Sequence, residues 1–230
     1  AIRKRASKSE IAASKYMSCH GVPVEKKIIE QNNFVCPECN RHHFLSPSQR
    51  FNIMFGENNW KEIKGAMVRN IDPYKWEDTK KYTDRLADAK KKTEQDCAIL
   101  SCEAKINDID IVISAVNFAW IGGSISMNEG ENVLKSVQTA IDKKCPYIFF
   151  SGSGGMRMMT NMLSLMQMAR MTIAINELKK NNLPYVVVVA SPSTGGLQAS
   201  ICSTGDIIIG ETGATTVSYT HLTLPTIFRV

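Results

Sequence analysis

Twice in succession, an unbroken apolar run ends in adjacent glycines and gives way to a helix-period segment. The first instance is Tyr147–Ser151, then Gly152-Ser153-Gly154-Gly155, then a long helix over about Met158–Lys180. The second is Tyr185–Ala190, then Ser193-Thr194-Gly195-Gly196, then a short helix near Leu197–Ser203. Strands that are apolar throughout need cover on both faces, and helices between them supply it, so the pattern restricts this region to an α/β architecture.

The flanking sequence extends the pattern. Ala98–Ile106 and Ile109–Val116 bracket Asn107-Asp108, a two-residue hairpin signal. Asn128–Lys143 has helical periodicity, and a further strand is predicted at Asp206–Gly210. Upstream, Ser46 or Ser48 can cap a helix reaching about Trp60, and Asp78–Lys92 reads as a charged surface helix. With 230 residues, 43% of them hydrophobic, the chain can bury one sizeable core and carry a small appended module. Seven of its eleven methionines fall between Met156 and Met171, where a helix would present them as a broad apolar surface for core or subunit packing.

The glycine loops are the first candidate for chemistry. Adjacent glycines let a ligand approach the backbone, and a helix start leaves N–H groups unbonded. Two such groups suit an enolate or carboxylate oxygen. A single pair would be no more than a tight turn. Two pairs after successive strands would meet at one sheet edge, where α/β ligand sites form. Neither loop fits a dinucleotide or phosphate-loop pattern, and Ser153 lacks a hydrolase elbow. The core region offers no histidine base, since His20, His42 and His43 lie upstream and His221 lies in the tail.

The second candidate is Cys19 with Cys36-Pro37-Glu38-Cys39. A C-x-x-C knuckle suits tetrahedral zinc, and Cys19 stands where an upstream knuckle's second cysteine would be. The partner position three residues earlier is Tyr16, which cannot replace a thiolate. His20, His42 or His43 are then the candidates for a fourth ligand, and a metal-free relic held by apolar packing is the alternative. Cys97, Cys102, Cys145 and Cys202 read as small core hydrophobes in a reducing compartment. The net charge of +6 is uneven. Residues 1–50 carry nine Lys/Arg against four Asp/Glu, while residues 101–230 carry nine of each. A basic N-terminal module permits a nucleic-acid partner, although no aromatic-basic stripe accompanies it. No run is long and apolar enough for a membrane helix.

These motifs, in this order, resemble the beta subunit of the carboxyltransferase of bacterial-type acetyl-CoA carboxylase, over about residues 15–214. The resemblance is carried by Cys36–Cys39 with His42-His43, by Asp78–Leu86, by Trp120-Ile121-Gly122-Gly123-Ser124, and by Ser153–Met158 with Ser164–Met168. Leu183–Tyr185 and Pro192–Ser200 complete it. It implies a crotonase-like fold of ββα turns behind a small zinc-ribbon-like module. It implies transfer of a carboxylate from carboxybiotin on a carrier protein to acetyl-CoA, giving malonyl-CoA, in the cytoplasm or a plastid. Gly195 and Gly196 would form an oxyanion hole, lined by Gly154 and Gly155. Arg157, Gly122 and Gly123 would contact substrate, and Cys19, Cys36 and Cys39 would hold zinc. The implied partners are the alpha subunit, the biotin carboxyl carrier protein and biotin carboxylase. A different crotonase-type enzyme such as a hydratase would need acidic side chains beside the oxyanion hole.

The expected organisation is a basic tail (1–15), the ribbon-like module (16–45), the transferase domain (46–216) and a non-native tail (217–230). That tail reads like a translated sequencing adapter. The chain is accordingly expected to lack its natural start and the C-terminal part of its domain. It departs from the family pattern at Tyr16, at Ile125-Ser126, at Met156, at Met159-Thr160 and at Glu211-Thr212-Gly213.

Overall fold

The computed structural model describes residues 15–19 and 21–217. The basic tail before Lys15, the ligand role of His20 and the tail from Ser218 onward lie outside them. The chain divides into two compact units between Phe44 and Leu45.

In the first unit, β1 (Tyr16–Cys19) pairs antiparallel with β2 (Val22–Glu25), and α1 (Lys26–Gln31) follows. Its core is small: Cys19, Val24, Ile29 and Cys36 are buried, with Met17 and Phe34 packed against them.

The second unit opens with α2 (Pro47–Phe55), started by a Ser46/Gln49 capping box with Pro47 in the first turn. The helix is shorter than the sequence pattern predicts. Gly56, at φ +85°, stops it, and Trp60–Ile63 becomes β3. Tertiary pairing decides this: β3 runs antiparallel to β4, and the Trp60 ring packs edge-on to Phe51 at 5.4 Å. After α3 (Tyr82–Thr93) comes the hairpin of β4 (Ile99–Ile106) and β5 (Ile109–Val116). Asn107 and Asp108 both take positive φ, as a type I′ turn requires.

From β5 onward the chain repeats one unit: a strand in the main sheet, a short strand in a second layer, then a helix. After β5, Ile125 bridges in parallel to Met156 and α4 (Met127–Lys143) follows. After β6 (Tyr147–Phe150), Ser153 bridges to Ser193 and α5 (Asn161–Lys180) follows. After β7 (Tyr185–Val189) come β8 (Ser193–Thr194) and α6 (Gly195–Ala199). Finally β9 (Ile207–Gly210) leads to β10 (Thr216–Val217), which pairs in parallel with β8. This is the ββα spiral that the resemblance implied. The main sheet has the order β3-β4-β5-β6-β7-β9, and β5, β6, β7 and β9 are parallel.

Period-two alternation divides the core. Val112 and Val116 of β5, with Tyr147, Phe149, Tyr185 and Val187, face α4 and α5. Ile111, Ile113 and Ala115 face the opposite way, with Phe51 and Phe150. Cys97, Cys102, Cys145 and Cys202 are all buried. Burial pushes the thiols of Cys97, Cys102 and Cys202 up to about 12, so they behave as core hydrophobes.

Two expectations fail. Cover on both faces holds for β5–β7 but not for β9, whose Ile207, Ile208 and Ile209 are 55%, 44% and 51% exposed. That strand is paired on one side only, and no described element packs over it. The long helix begins at Asn161 rather than Met158, because Met158–Thr160 form a 3-10 turn and Asn161 itself takes φ +49°.

Candidate active site

Three parallel strands ending at Val116, Phe150 and Val189 deliver three glycine loops to one edge of the sheet. Hydrogen bonds lace the loops together. The Gly154 N–H donates to Gly122 O at 2.8 Å. Ser153 Oγ donates to Gly123 O at 2.7 Å and accepts the Gly155 N–H at 2.9 Å. Ser153 O accepts the Thr194 N–H at 3.0 Å. The approach is close enough to demand glycine. A Cβ on Gly123 would fall 2.4 Å from Gly152 O. At Gly155, where φ is +110°, it would lie 3.3 Å from Thr194 O and 3.5 Å from Gly196 N.

The six glycines therefore have different places. The amides of Gly154 and Gly155 are engaged in the lacing and shape the site. Gly195, at φ +61°, and Gly196 open α6; the Gly195 N–H belongs to the parallel ladder in which Thr194 pairs with Val217, whereas no acceptor for the Gly196 N–H is found among the described residues. The Gly196 N–H is the donor this edge can offer to an oxyanion. Met156 and Met168 wall one side, since a Cβ on Gly196 would meet Met156 Cγ at 2.4 Å and Met168 Sδ at 2.9 Å. The Cβ position of Gly122 is open, with no atom within 4 Å.

Arg157 is not where a substrate-binding arginine was expected. Its side chain is 3% exposed and points into the protein. Nη2 bonds Glu129 Oε1 at 2.6 Å and Ser124 O at 2.5 Å. Nε reaches Ser124 Oγ at 3.1 Å, and Nη1 donates to Tyr82 OH at 3.0 Å. Burial opposes its charge, but Glu129 and Tyr82 outweigh that and hold its pKa above the ordinary value. Glu129, fully buried, also accepts the N–H groups of Ala98 and Ser126. Arg157 thus clamps the segment after Gly155 to the loop after Gly123, to α3 and to α4. Sequence reading missed Glu129, although Ser126-x-x-Glu129 is a capping-box string. Tyr82 and Ser124 were quoted as motif members without a role, because only the fold brings them to Arg157.

A cavity of about 350 Å³ lies beside this clamp, lined by Tyr82, Leu86, Trp120, Met127, Glu129 and Arg157 among others. None of the six glycines lines it. The glycine edge is instead an open surface, continued by Met158, Met162, Leu165 and Met166, each at least half exposed.

In the N-terminal unit, the sulfurs of Cys19, Cys36 and Cys39 all lie within 4.8 Å of one another, and Cys19 and Cys39 are 3.6 Å apart. Zinc–sulfur bonds of about 2.3 Å place tetrahedral thiolates roughly 3.8 Å apart, so the triad is spaced to hold a metal ion. Backbone N–H groups of Cys39 and Glu38 bond to the Cys36 sulfur and lower its pKa, whereas burial pushes Cys19 up to about 12. His42 and His43 do not belong to the cluster.

Comparison with known proteins gives these features a family. A model described as the carboxyl transferase domain matches residues 74–220. A Pelagibacter ubique protein is 47% identical over 213 residues, covering 93% of this chain and 69% of the relative. A Bartonella henselae protein is 42% identical, covering 84% of this chain and 63% of the relative. Both bear the name acetyl-coenzyme A carboxylase carboxyl transferase subunit beta. The chain belongs to the carboxyl transferase domain family. This carboxyl transferase chain shares its fold with more distant structures. Transcarboxylase 12S superposes with a TM-score of 0.59 at 18% identity, over 85% of this chain and 34% of the other. A Pseudomonas malonate decarboxylase hetero-tetramer gives 0.55 at 18%, over 72% and 58%. The carboxyl transferase chain spans about two thirds of the length of its curated relatives. No helix among its described residues is long and apolar enough to cross a membrane.

Proposed function

We propose that this chain is the beta half of a carboxyl transferase that carboxylates the acetyl group of acetyl-CoA, giving malonyl-CoA. The observation that carries the reading is the helix start at Gly195 and Gly196, where the Gly196 N–H has no acceptor among the described residues. Carboxylation at the acetyl methyl carbon requires loss of a methyl proton and passage of negative charge to the thioester oxygen. The preorganised Gly196 N–H on a helix start stabilises that charge. Gly155 keeps the approach to it open, and the Arg157 clamp fixes the loops that frame it. Carboxybiotin on a carrier protein supplies the carboxylate and, once that has left, the basic ureido group that takes the proton. No histidine of this chain is then required.

The glycine edge is open rather than enclosed, and it adjoins an exposed methionine surface. Both features support a second subunit completing the site, the alpha subunit in this reading, with biotin carboxyl carrier protein and biotin carboxylase in the same complex. The cysteine triad would hold zinc, and the complex would work in the cytoplasm. The nucleic-acid reading of the basic module is not favoured, because the relatives are carboxyl transferase subunits.

The test runs the reaction in reverse. Malonyl-CoA and biocytin are mixed with a matching alpha subunit and this chain, completed to the full length of its relatives. Release of acetyl-CoA that vanishes when Gly195 and Gly196 are both replaced by valine supports the assignment. A folded, alpha-bound complex with no turnover in either form refutes it.

A further inference from the structure

Two methionines crowd Gly196 on its Cα side. A Cβ there would fall 2.4 Å from Met156 Cγ, 3.1 Å from Met156 Sδ and 2.9 Å from Met168 Sδ. Standard bond lengths then put the Met156 thioether within roughly 6 Å of the Gly196 nitrogen. The two side chains arrive from different elements. Met156 directly follows Gly155 and bridges in parallel to Ile125. The Ile125 N–H donates to Gly155 O at 2.9 Å and the Arg157 N–H donates to Ile125 O at 2.8 Å, so the backbone is held on both sides of Met156. Met168 belongs to α5. Both methionines are half-buried, and Met156 packs against the main core. Their neighbours Met158, Met162 and Met166 lie on the exposed surface instead. Consecutive residues thus treat Gly196 in opposite ways. Gly155 leaves room beside its nitrogen, and Met156 takes room beside its α-carbon.

We infer that Met156, together with Met168, sets the size of the acyl group this site carboxylates, favouring an acetyl group over one that carries a methyl on its α-carbon. The inference rests on the reading of the Gly196 N–H as the donor to the thioester oxygen. An oxygen bonded to that N–H sits about 2.9 Å from the nitrogen. The acyl carbon and its α-carbon follow within two bonds, so the reacting carbon is confined to the surroundings of Gly196. An α-methyl group needs further room there, and on the Cα side the two thioethers already fill it. Methionine is unbranched and adaptable, so the limit is graded rather than absolute. One extra methylene against an apolar wall changes selectivity by about 10–200-fold.

The experiment uses the complex of the alpha subunit with this chain completed to the full length of its relatives, run in reverse with biocytin and either malonyl-CoA or methylmalonyl-CoA. In both reactions the bond between the α-carbon and its carboxylate breaks. The carboxylate passes to the ureido nitrogen of biocytin, and the proton that nitrogen loses goes to the α-carbon. For the wild type, kcat/KM with malonyl-CoA should exceed that with methylmalonyl-CoA by about 10-fold or more. Met156→Ala should narrow this ratio by about 10-fold, and Met168→Ala should narrow it in the same direction. Met156→Leu, of similar volume, should keep the wild-type ratio. A general loss of stability lowers both reactions together and leaves the ratio unchanged, so the ratio reports the wall itself. Should Met156→Ala fail to fold, Met168→Ala decides alone. A wild type that uses both substrates equally overturns the inference, and so does a ratio that the alanine variants do not move while malonyl-CoA still turns over. A wild-type complex without malonyl-CoA turnover instead defeats the parent reading of Gly196, and this inference with it.

Discussion

Replacing Arg157 with methionine tests whether the buried clamp holds the glycine loops in place. The arginine and Glu129 side chains are 3% and 0% exposed, so neither charge is solvated by bulk water. Methionine roughly preserves the apolar stem but removes the positive charge. Glu129 is left with the N–H groups of Ala98 and Ser126 alone, and Tyr82 OH, Ser124 O and Ser124 Oγ lose their donors. Breaking one side of a buried pair costs about 3–5 kcal/mol, because the remaining charge stays in low dielectric. In a chain of this size that corresponds to roughly 6–20 °C in melting temperature. Glu129→Leu alone should cost a similar amount by stranding the guanidinium. The double variant should recover most of the loss, since an apolar replacement of the whole pair is often neutral or stabilising by about 1–4 kcal/mol. Urea unfolding of all four proteins at constant m-value completes the cycle. Single variants that each lose less than about 1 kcal/mol would refute the reasoning, because they would mean the pair is solvated or replaceable by water.

Gly155→Ala should lower carboxyl transfer by roughly 100-fold, since its Cβ would press on the turn that presents the Gly196 amide and small misplacements are costly in catalysis. Steady-state kinetics in the reverse assay checks this, and wild-type turnover would contradict the geometry. Phe149→Ala should destabilise the main sheet by about 3–5 kcal/mol through a cavity in the core, with a lowered urea midpoint as the measurement. Acid stability should follow Glu103 and Asp206. Hydrogen bonds from Lys143 and Lys61 hold Glu103 below its ordinary pKa, and those from Lys179 and the Tyr185 N–H do the same for Asp206. A carboxyl group whose folded pKa is depressed stabilises the fold above its unfolded value of about 4, and that contribution is lost as pH falls through the folded value. Unfolding midpoints across a pH series should therefore decline below about pH 4, and less steeply in Asp206→Asn.

Much of the architecture was legible along the chain because it depends on local chemistry. Apolar runs of strand length, Asn107-Asp108 between two of them, and glycine pairs after two others specify hairpin, sheet and loops from short-range sterics and periodicity alone. The order of those motifs was also enough to indicate the family. Boundaries set by distant partners were not legible. Trp60 left the helical pattern because β4 pairs with it and Phe51 packs on it. The start of α5 moved to Asn161, where the backbone turns after the Arg157 segment. The functions of individual residues depended still more on the third dimension. Gly154 and Gly196 belong to similar strings, yet one amide is consumed by Gly122 and the other has no acceptor among the described residues. Arg157 resembles a surface arginine in sequence and lies inside the protein, because Glu129, Ser124 and Tyr82, from three separate segments, converge on it. Spacing along the chain reveals which residues can be neighbours on one element. Whether a polar group is left free for a ligand depends on every other segment that comes within hydrogen-bonding distance, and only the folded arrangement decides that.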